Sequence, residues 1–303
     1  MAFRYSFSLV KRFFNNLYLL TFLNGFLLSS LLYFSMEATY EGELFAVIKK
    51  SIDKKTDFND TQDSLVIKVM ESCNNLLRNR ASIFNEISDF TDVKVNYLHP
   101  ASIDLMTARG ACGSYSLILA RVLQNFKFPV RIAQMKANGV FGAHNIIETK
   151  IQRGWVVLDP TFNLYFTRPD KTLANFNDVK NNWAFYRKQL PAGYDSSYKY
   201  TDVRYTNWGK IPILLPSIKK FLDIAIGKKR ADTVCMRVFF LRMYDIYFYF
   251  TLFLFIPVFL ITLKKVIKLK IFPRADVPFT GGNIIKYIKQ RFENTSLKTT
   301  VNT

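Results

Sequence analysis

Two long apolar runs stand out in the pattern of hydrophobic and polar positions. The first extends from Phe13 to Phe34 and the second from Ile246 to Leu263, and neither contains a charged residue. As helices they would reach about 33 Å and about 27 Å at ~1.5 Å per residue. These lengths suit the hydrocarbon core of a bilayer, so the pattern predicts transmembrane helices over residues 13–35 and 243–263.

Each run has an alternative interpretation. The first could be a cleaved signal peptide with Lys11 and Arg12 as its basic part, but it is longer than a typical signal core and no small-residue cleavage motif follows it. The second could be a buried core helix, but its hydrophobicity on every face favours surrounding lipid. We therefore interpret both runs as membrane anchors.

Basic residues in the two tails predict the orientation. Residues 1–12 carry basic side chains and no acid, and residues 264–303 are also basic. By the positive-inside rule both tails are cytoplasmic, which places the segment between the runs outside the cytoplasm. The basic residues that precede the second run, among them Lys228–Arg230, oppose this assignment. Large domains, however, cross a membrane largely regardless of their charge.

Residues 36–242 are the candidate folded domain, with a core over residues 60–170. Apolar residues recur at helical spacing over residues 64–88 and again over residues 113–126, which predicts two amphipathic helices. Residues 41–58 contain two Lys-Lys pairs and are predicted to be a polar lead-in to this domain.

The hydrophobic period changes after Pro129, which ends the second helix. Residues 130–133, 145–148 and 155–158 are predicted to be strands. A helix followed by three strands predicts an α+β fold with an antiparallel sheet. Residues 191–210 are rich in Tyr, Gly, Ser and Asp and are predicted to form a loop or a lid.

Composition narrows the class of protein. The 303 residues include 42 Lys and Arg against 23 Asp and Glu, a formal charge of +19, which is expected to attract anionic lipid headgroups. Nucleic-acid binding is the competing explanation, but no RNA- or DNA-binding motif accompanies the charge.

Three cysteines exclude a disulfide-built scaffold. No zinc-ligand spacing and no phosphate-binding motif is present, so we expect neither a metal site nor a cofactor.

Cys112 is the strongest candidate for chemistry. It lies between Gly110-Ala111 and Gly113, directly before the second amphipathic helix. The unpaired amides and the positive dipole end of a helix N-terminus stabilise a thiolate and lower its pKa, which a sulfur nucleophile needs. The alternative is a small buried cysteine, the common fate of a free thiol.

His144 and Asp159 are candidates for the base and its orienting acid. If their strands form a hairpin with its loop centred between Ile151 and Gln152, the two residues face each other and share a face of the sheet. The carboxylate can then orient the imidazole while the other ring nitrogen serves the thiol. A register shift of one residue would separate them. The individual alternatives are a core histidine and a turn-forming aspartate before Pro160.

The stretch from Gly110 to Thr161 resembles the transglutaminase-like core, a branch of the papain-like cysteine hydrolase fold, over about one sixth of the chain. The matching pieces are Gly110-Ala111-Cys112, Phe128-Pro129-Val130-Arg131, His144, Gly154-Trp155 and Leu158-Asp159-Pro160-Thr161. The resemblance implies Cys112 as nucleophile, His144 as base and Asp159 as orienting acid. The family often has an aromatic residue two positions after the histidine. This chain has Ile146 there, which changes the wall of the acyl pocket.

Other polar groups are left with open roles. The amide of Cys112 is expected to be one half of an oxyanion hole. A side chain from the segment Tyr97–Pro100 is the candidate for the other half, on proximity in sequence alone. Cys73 and Cys235 have no predicted chemical role and could form a disulfide in an oxidising compartment or simply pack.

These residues predict a membrane-anchored thiol enzyme that acts on amide bonds of a protein or peptide. Cys112 would form an acyl-thioester, with water as acceptor in a peptidase or amidase and an amine as acceptor in a crosslinking acyltransferase. The alternative is a non-catalytic module of the same fold that binds a peptide or glycan at the membrane. A nucleic-acid-associated membrane protein, whose binding would weaken with salt, ranks third.

Overall fold

The computed structural model describes residues 16–86 and 100–271. Contacts divide these residues into two units, one formed by residues 16–30 and 251–271 and the other by the rest. The predicted N-terminal tail and most of the predicted C-terminal tail lie outside the described residues.

Helices and a single sheet build the described part of the chain. The helices are α1 (Leu17–Asp53), α2 (Gln62–Glu86), α3 (Ala101–Thr107), α4 (Cys112–Asn125), α5 (Phe176–Asn181), α6 (Trp183–Tyr186), α7 (Leu214–Ile226), α8 (Lys228–Ala231) and α9 (Met243–Ile271), with 3₁₀ helices at Arg187–Gln189 and Met236–Arg242. The strands are β1 (Val130–Ala137), β2 (Val140–Ile151), β3 (Gly154–Asp159), β4 (Leu164–Tyr165) and β5 (Val203–Arg204).

Two helical segments are long and apolar enough to cross a membrane by length and composition, Leu17–Asp53 and Met236–Lys268. Their most apolar windows have mean hydropathies of 1.7 and 2.3, and only 11% and 6% of these windows are buried within the protein. A buried core helix was the alternative for the second apolar run, residues 246–263. Such a helix would be mostly buried, so the low burial does not support this alternative. Within the first unit, Asn24 Nδ2 donates to Thr262 Oγ1 over 2.7 Å, a bond of the kind that joins membrane helices.

The end of α1 differs from the prediction. Of residues 41–58, predicted to be a polar lead-in, residues 41–53 continue the helix and residues 54–58 lie outside regular secondary structure. Phe45 and Ile52 are buried in the domain core and Ile48 packs against it, at helical spacing. The prediction was wrong because the lysine pairs conceal this narrow apolar stripe in the sequence.

The strands form one antiparallel sheet in the order β4-β3-β2-β1-β5. The predicted α+β class with an antiparallel sheet is confirmed, and the three predicted strands lie within β1, β2 and β3. The helices predicted before them correspond to α2 and α4. The predicted loop or lid over residues 191–210 is mostly turns, but it also supplies β5 at the sheet edge.

The sheet carries a hydrophobic core on each face. On one face Ile132, Ile147 and Leu158 pack with α2, α3, α4 and the end of α1. On the other face Ala133 and Ile146 pack against a set of rings that we call the aromatic layer. The aromatic layer consists of Phe162, Phe166, Tyr186, Tyr194, Tyr198 and Tyr200.

Cys73 and Cys235 are both free and buried. Both belong to the core cluster between the sheet and the helices, and Cys235 Sγ accepts a hydrogen bond from Ile132 N–H over 3.3 Å. Of the two roles considered for them, the structure shows packing and not a disulfide.

Candidate active site

Cys112 is the first residue of α4, where the sequence predicts it. The backbone before it is strained, because Ala108 and Ala111 have φ values of 49° and 45°, in the left-handed region that side-chain-bearing residues rarely adopt. Such conformations persist only where the surroundings impose them, and they are concentrated at functional sites. In the described part of the chain, no backbone carbonyl accepts from Cys112 N–H, so this amide can donate to a bound group.

A buried hydrogen-bond network holds the loop before Cys112. Ser114 Oγ donates to Asp104 Oδ1 and accepts from Gly110 N–H over 2.8 Å. A Cβ at Gly110 would lie 2.6 Å from Ser114 Oγ, so any side chain there would displace the network. Gly113 differs, since a Cβ there would meet nothing within 4 Å. The helix start therefore has open space at Gly113.

His144 lies beside an irregularity in the pairing of β1 with β2. Met135 pairs with His144, whereas Lys136 pairs with Phe141, so two residues of β2 are skipped in this register. One of them, Gly142, has a φ of 98°. A bulge of this kind changes the direction of neighbouring side chains and often occurs next to an active site.

The β2–β3 hairpin has a different register from the predicted one. The prediction pairs His144 with Asp159, whereas the structure pairs Ile151 with Gly154, which shifts the register by two positions. The predicted register is therefore wrong. Because side chains alternate with a period of two, this shift leaves His144 and Asp159 on the same face.

His144 and Asp159 are in direct contact. His144 Nε2 lies 2.7 Å from Asp159 Oδ2, and the two side chains are 2% and 0% exposed. Tyr194 OH donates to the same carboxylate oxygen over 3.3 Å. The other oxygen accepts from the N–H groups of Thr161 at 3.2 Å and Phe162 at 3.5 Å. These bonds fix the carboxylate, which in turn fixes the imidazole.

The thiol and the imidazole shift each other's pKa. Burial raises the pKa of Cys112, but hydrogen bonds and charge from His144, with bonds from Asn145, outweigh burial and lower the pKa of the thiol. Burial lowers the pKa of His144, but its bonds to Asp159 and Cys112 outweigh burial and raise the pKa to about 9. Both shifts favour a thiolate beside an imidazolium.

Asn145 and Arg237 join this site without having been predicted. Asn145 Nδ2 donates to Cys112 Sγ over 3.4 Å, and Arg237 Nη1 donates to Asn145 Oδ1 over 2.8 Å. A guanidinium has only donors, so it holds the amide oxygen on its own side and leaves the NH₂ group facing the sulfur. Asn145 directly follows His144 and could have been suspected from that position. Arg237 lies 92 positions further on, and no sequence pattern indicates it.

The aromatic layer covers the imidazole. The ring of Tyr198 stacks on His144 with centroids 4.5 Å apart and planes 9° apart, and Phe162 meets His144 edge-on at 5.7 Å. Tyr198 belongs to the predicted loop or lid. These rings exclude water from the His144–Asp159 bond and strengthen it.

Two further expectations have different outcomes. Three residues of the proposed oxyanion segment, Tyr97 to His99, lie outside the described residues. Ile146, where the family often has an aromatic residue, is fully buried in the core beneath the aromatic layer. It therefore packs in the core and does not line an open pocket.

No family model, curated protein or solved structure matches the chain. Among residues 16–86 and 100–271, no group of three or more His, Cys, Asp or Glu side chains is arranged to hold a metal ion. The chemistry that this site can perform therefore follows from the geometry of Cys112, His144 and Asp159 and from the side chains that hold them.

Proposed function

We propose that this protein is a membrane-anchored thiol enzyme of the transglutaminase-like type that acts on amide bonds of proteins or peptides. The observation that carries the proposal is the buried contact of 2.7 Å between His144 and Asp159, together with a thiol at the start of α4 whose pKa is lowered by His144. A core histidine needs one partner and does not need a partly exposed thiol as a second.

The reaction would proceed through a covalent intermediate. The Cys112 thiolate attacks the amide carbonyl carbon, and a carbon–sulfur bond forms as the carbonyl oxygen becomes an oxyanion. The His144 imidazolium gives its proton to the departing amine, the carbon–nitrogen bond breaks and an acyl-thioester remains. Neutral His144 then takes a proton from water or an amine, which attacks the thioester and releases the thiolate. Asp159 keeps the imidazole oriented through both steps.

Two donors close to the sulfur are available for the oxyanion. The N–H of Cys112 has no acceptor among the described backbone carbonyls and lies at a helix start. The Asn145 amide donates to the sulfur at rest. Once the sulfur has become part of a thioester, it no longer carries a charge, so this amide is free to turn towards the oxyanion.

The candidate spans support a location of this chemistry at a membrane. The apolar segments of α1 and α9 are the proposed anchors, and the basic tails favour a catalytic domain outside the cytoplasm. Substrates would then be proteins or peptides close to the membrane surface. The acyl acceptor, water or amine, would decide between a peptidase or amidase and a crosslinking enzyme.

The proposal is tested by the reactivity of Cys112 towards iodoacetamide in the full-length protein in detergent. An added Ser82→Cys thiol on an exposed part of α2 provides an ordinary reference in the same molecule. We expect Cys112 to be alkylated faster than the reference at pH 6.5, because an ordinary thiol ionises near ~8.5. Equal rates at every pH would contradict an activated thiol. Full biological function of a Cys112→Ser variant would favour the non-catalytic alternative.

A further inference from the structure

Helix α7 presents an apolar surface that no described part of the protein covers. None of its residues is buried, and neither core cluster includes any of them. Leu214, Phe221 and Ile224 are 55%, 69% and 79% exposed. A helix of a folded domain normally buries its apolar face against another element. The apolar face of α7 therefore needs a partner.

The polar and apolar residues of α7 are segregated. At about 100° per residue, Leu214, Ile218 and Phe221 share one side of the helix. Lys219, Lys220 and Asp223 lie on the opposite side. Lys219 forms ion pairs with Asp223 and Asp232 and is neutralised locally. The exposed basic residues that remain are Lys220, Lys228, Lys229 and Arg230.

The residue before α7 adds an independent observation. Ile213 has a φ of 69°, a conformation that β-branched residues strongly disfavour, and its side chain is 84% exposed. In water, exposing the Ile213 side chain gives no free energy that would offset the strain of its backbone. The conformation is explained if this side chain enters an apolar medium together with the apolar face of α7.

We propose that α7 lies in the headgroup layer of an anionic bilayer, with its apolar side towards the acyl chains and its basic residues at the lipid phosphates. Helices with this segregation of apolar and basic residues bind membrane surfaces. Residues 227–242 separate α7 from α9, the helix that carries most of the second candidate span, so α7 lies close along the chain to the proposed membrane anchor. The inference rests on the membrane anchoring in the proposed function and adds a second, peripheral contact.

The test uses spin labels on the full chain reconstituted in vesicles of equal parts phosphatidylcholine and phosphatidylglycerol. Single cysteines replace Ala225, which is exposed and shares the apolar side with Leu214 and Phe221, Lys220 on the basic side and Leu254 in the candidate span, in a Cys112→Ser background whose other two cysteines are buried. We expect the labels at 225 and 254 to be more accessible to oxygen than to an aqueous nickel chelate, and the label at 220 to show the reverse.

Three outcomes would overturn the inference in distinguishable ways. A water-accessible label at 225 with a lipid-exposed label at 254 would reject the surface helix and leave the anchored enzyme intact. A label at 225 shielded from both reagents would indicate a protein partner or a second copy. Water accessibility at both 225 and 254 would remove the membrane anchoring as well.

The role of charge is tested in the same vesicles. Replacing Lys228, Lys229 and Arg230 with Glu should lower the ratio of oxygen to nickel accessibility at 225, because the basic residues then no longer attract the anionic headgroups. Vesicles of phosphatidylcholine alone should lower the ratio for the unaltered sequence. An unchanged ratio in both comparisons would reject the anionic lipid as the partner.

Discussion

The sulfur of Cys112 interacts with two consecutive residues of β2, His144 and Asn145. Consecutive side chains in a regular strand point to opposite faces of a sheet. The irregular pairing beside His144 provides the departure from regular alternation that this double contact needs. Each neighbour has its own support, since Asp159 holds His144 and Arg237 holds Asn145. The two supports can therefore be tested separately.

A His144→Ala variant should move the alkylation of Cys112 to higher pH. Without the imidazole, burial dominates and raises the pKa of the thiol, so less thiolate is present at neutral pH. We expect the rate with iodoacetamide at pH 7 to fall at least about tenfold, since each pKa unit changes the thiolate fraction tenfold in this range. The measurement is the pH–rate profile by mass spectrometry. A profile identical to that of the unaltered protein would show that His144 and Cys112 are not coupled.

Asn145→Ala should also slow the alkylation of Cys112 at pH 7, by about tenfold if a bond to a charged group of about 1.5 kcal/mol is lost. Arg237→Leu should have a smaller effect in the same direction, because the amide keeps its NH₂ group but loses the bond that orients it. Arg242→Leu is the matched control in the same 3₁₀ helix, since Arg242 pairs with Asp245 instead. The orienting role of Arg237 is rejected if Arg237→Leu and Arg242→Leu change the alkylation rate of Cys112 by the same amount.

The sequence indicated three of these residues and not the other two, for physical reasons. A cysteine at a helix start, a strand histidine and an aspartate before Pro160 each leave a local signature. Asn145 and Arg237 have no local signature, because their role arises only when the 3₁₀ helix Met236–Arg242 is brought against β2. The catalytic roles of Cys112, His144 and Asp159 stay predictions that reactivity measurements must decide.

At the scale of elements, the loop between α3 and α4 sets the position of the thiol. It has no regular secondary structure of its own, so the bonds from Ser114 to Asp104 and from Gly110 to Ser114 determine its shape. Asn74 on α2 plays a similar part at the other end of the site, where its Nδ2 donates to Pro160 O over 2.8 Å, directly after Asp159. Packing of α2 and α4 thus fixes two of the three groups.

Gly110→Ala should destabilise the domain, whereas Gly113→Ala should not. The added Cβ at Gly110 would meet Ser114 Oγ at 2.6 Å and disrupt a buried hydrogen-bond network, at a cost of about 1–3 kcal/mol in the free energy of unfolding. At Gly113 the added methyl group has open space, and alanine favours a helix by about 1 kcal/mol over glycine. Denaturant unfolding in detergent compares the two variants. Similar losses of stability at both positions would contradict the network.

The elements predicted correctly are those whose residues form a local pattern. The helices α2 and α4 carry apolar residues at helical spacing, and β1 to β3 are short runs with several Val and Ile residues, so all of them are visible in the sequence. The aromatic layer has no such pattern. Its rings pack through irregular turns, and contacts such as that of Tyr198 with His144 depend on tertiary structure. The shift in hairpin register has a similar origin, because the turn residues alone do not specify where pairing begins.

At the scale of the whole molecule, the two candidate spans found among residues 16–86 and 100–271 predict that both tails lie on the same side of a membrane. The candidate spans belong to α1 and to the segment ending in α9, and the domain between them contains the sheet and the candidate site. Basic residues flank the second span on both sides, so its own flanks do not decide its direction. The short N-terminal tail, with three basic residues and no acid, is the remaining determinant.

Reporter fusions should therefore give opposite results for the termini and for the domain. A reporter that is active only outside the cytoplasm should be silent at residue 1 and at residue 303. It should be active when inserted at Phe58, which is fully exposed in the turn between α1 and α2. Replacing Arg4, Lys11 and Arg12 with Asn should lower the activity at Phe58, because the first span then loses the charges that retain its start in the cytoplasm. The reverse pattern, with active termini and a silent domain, would place Cys112 in the cytoplasm and confine its substrates to that side.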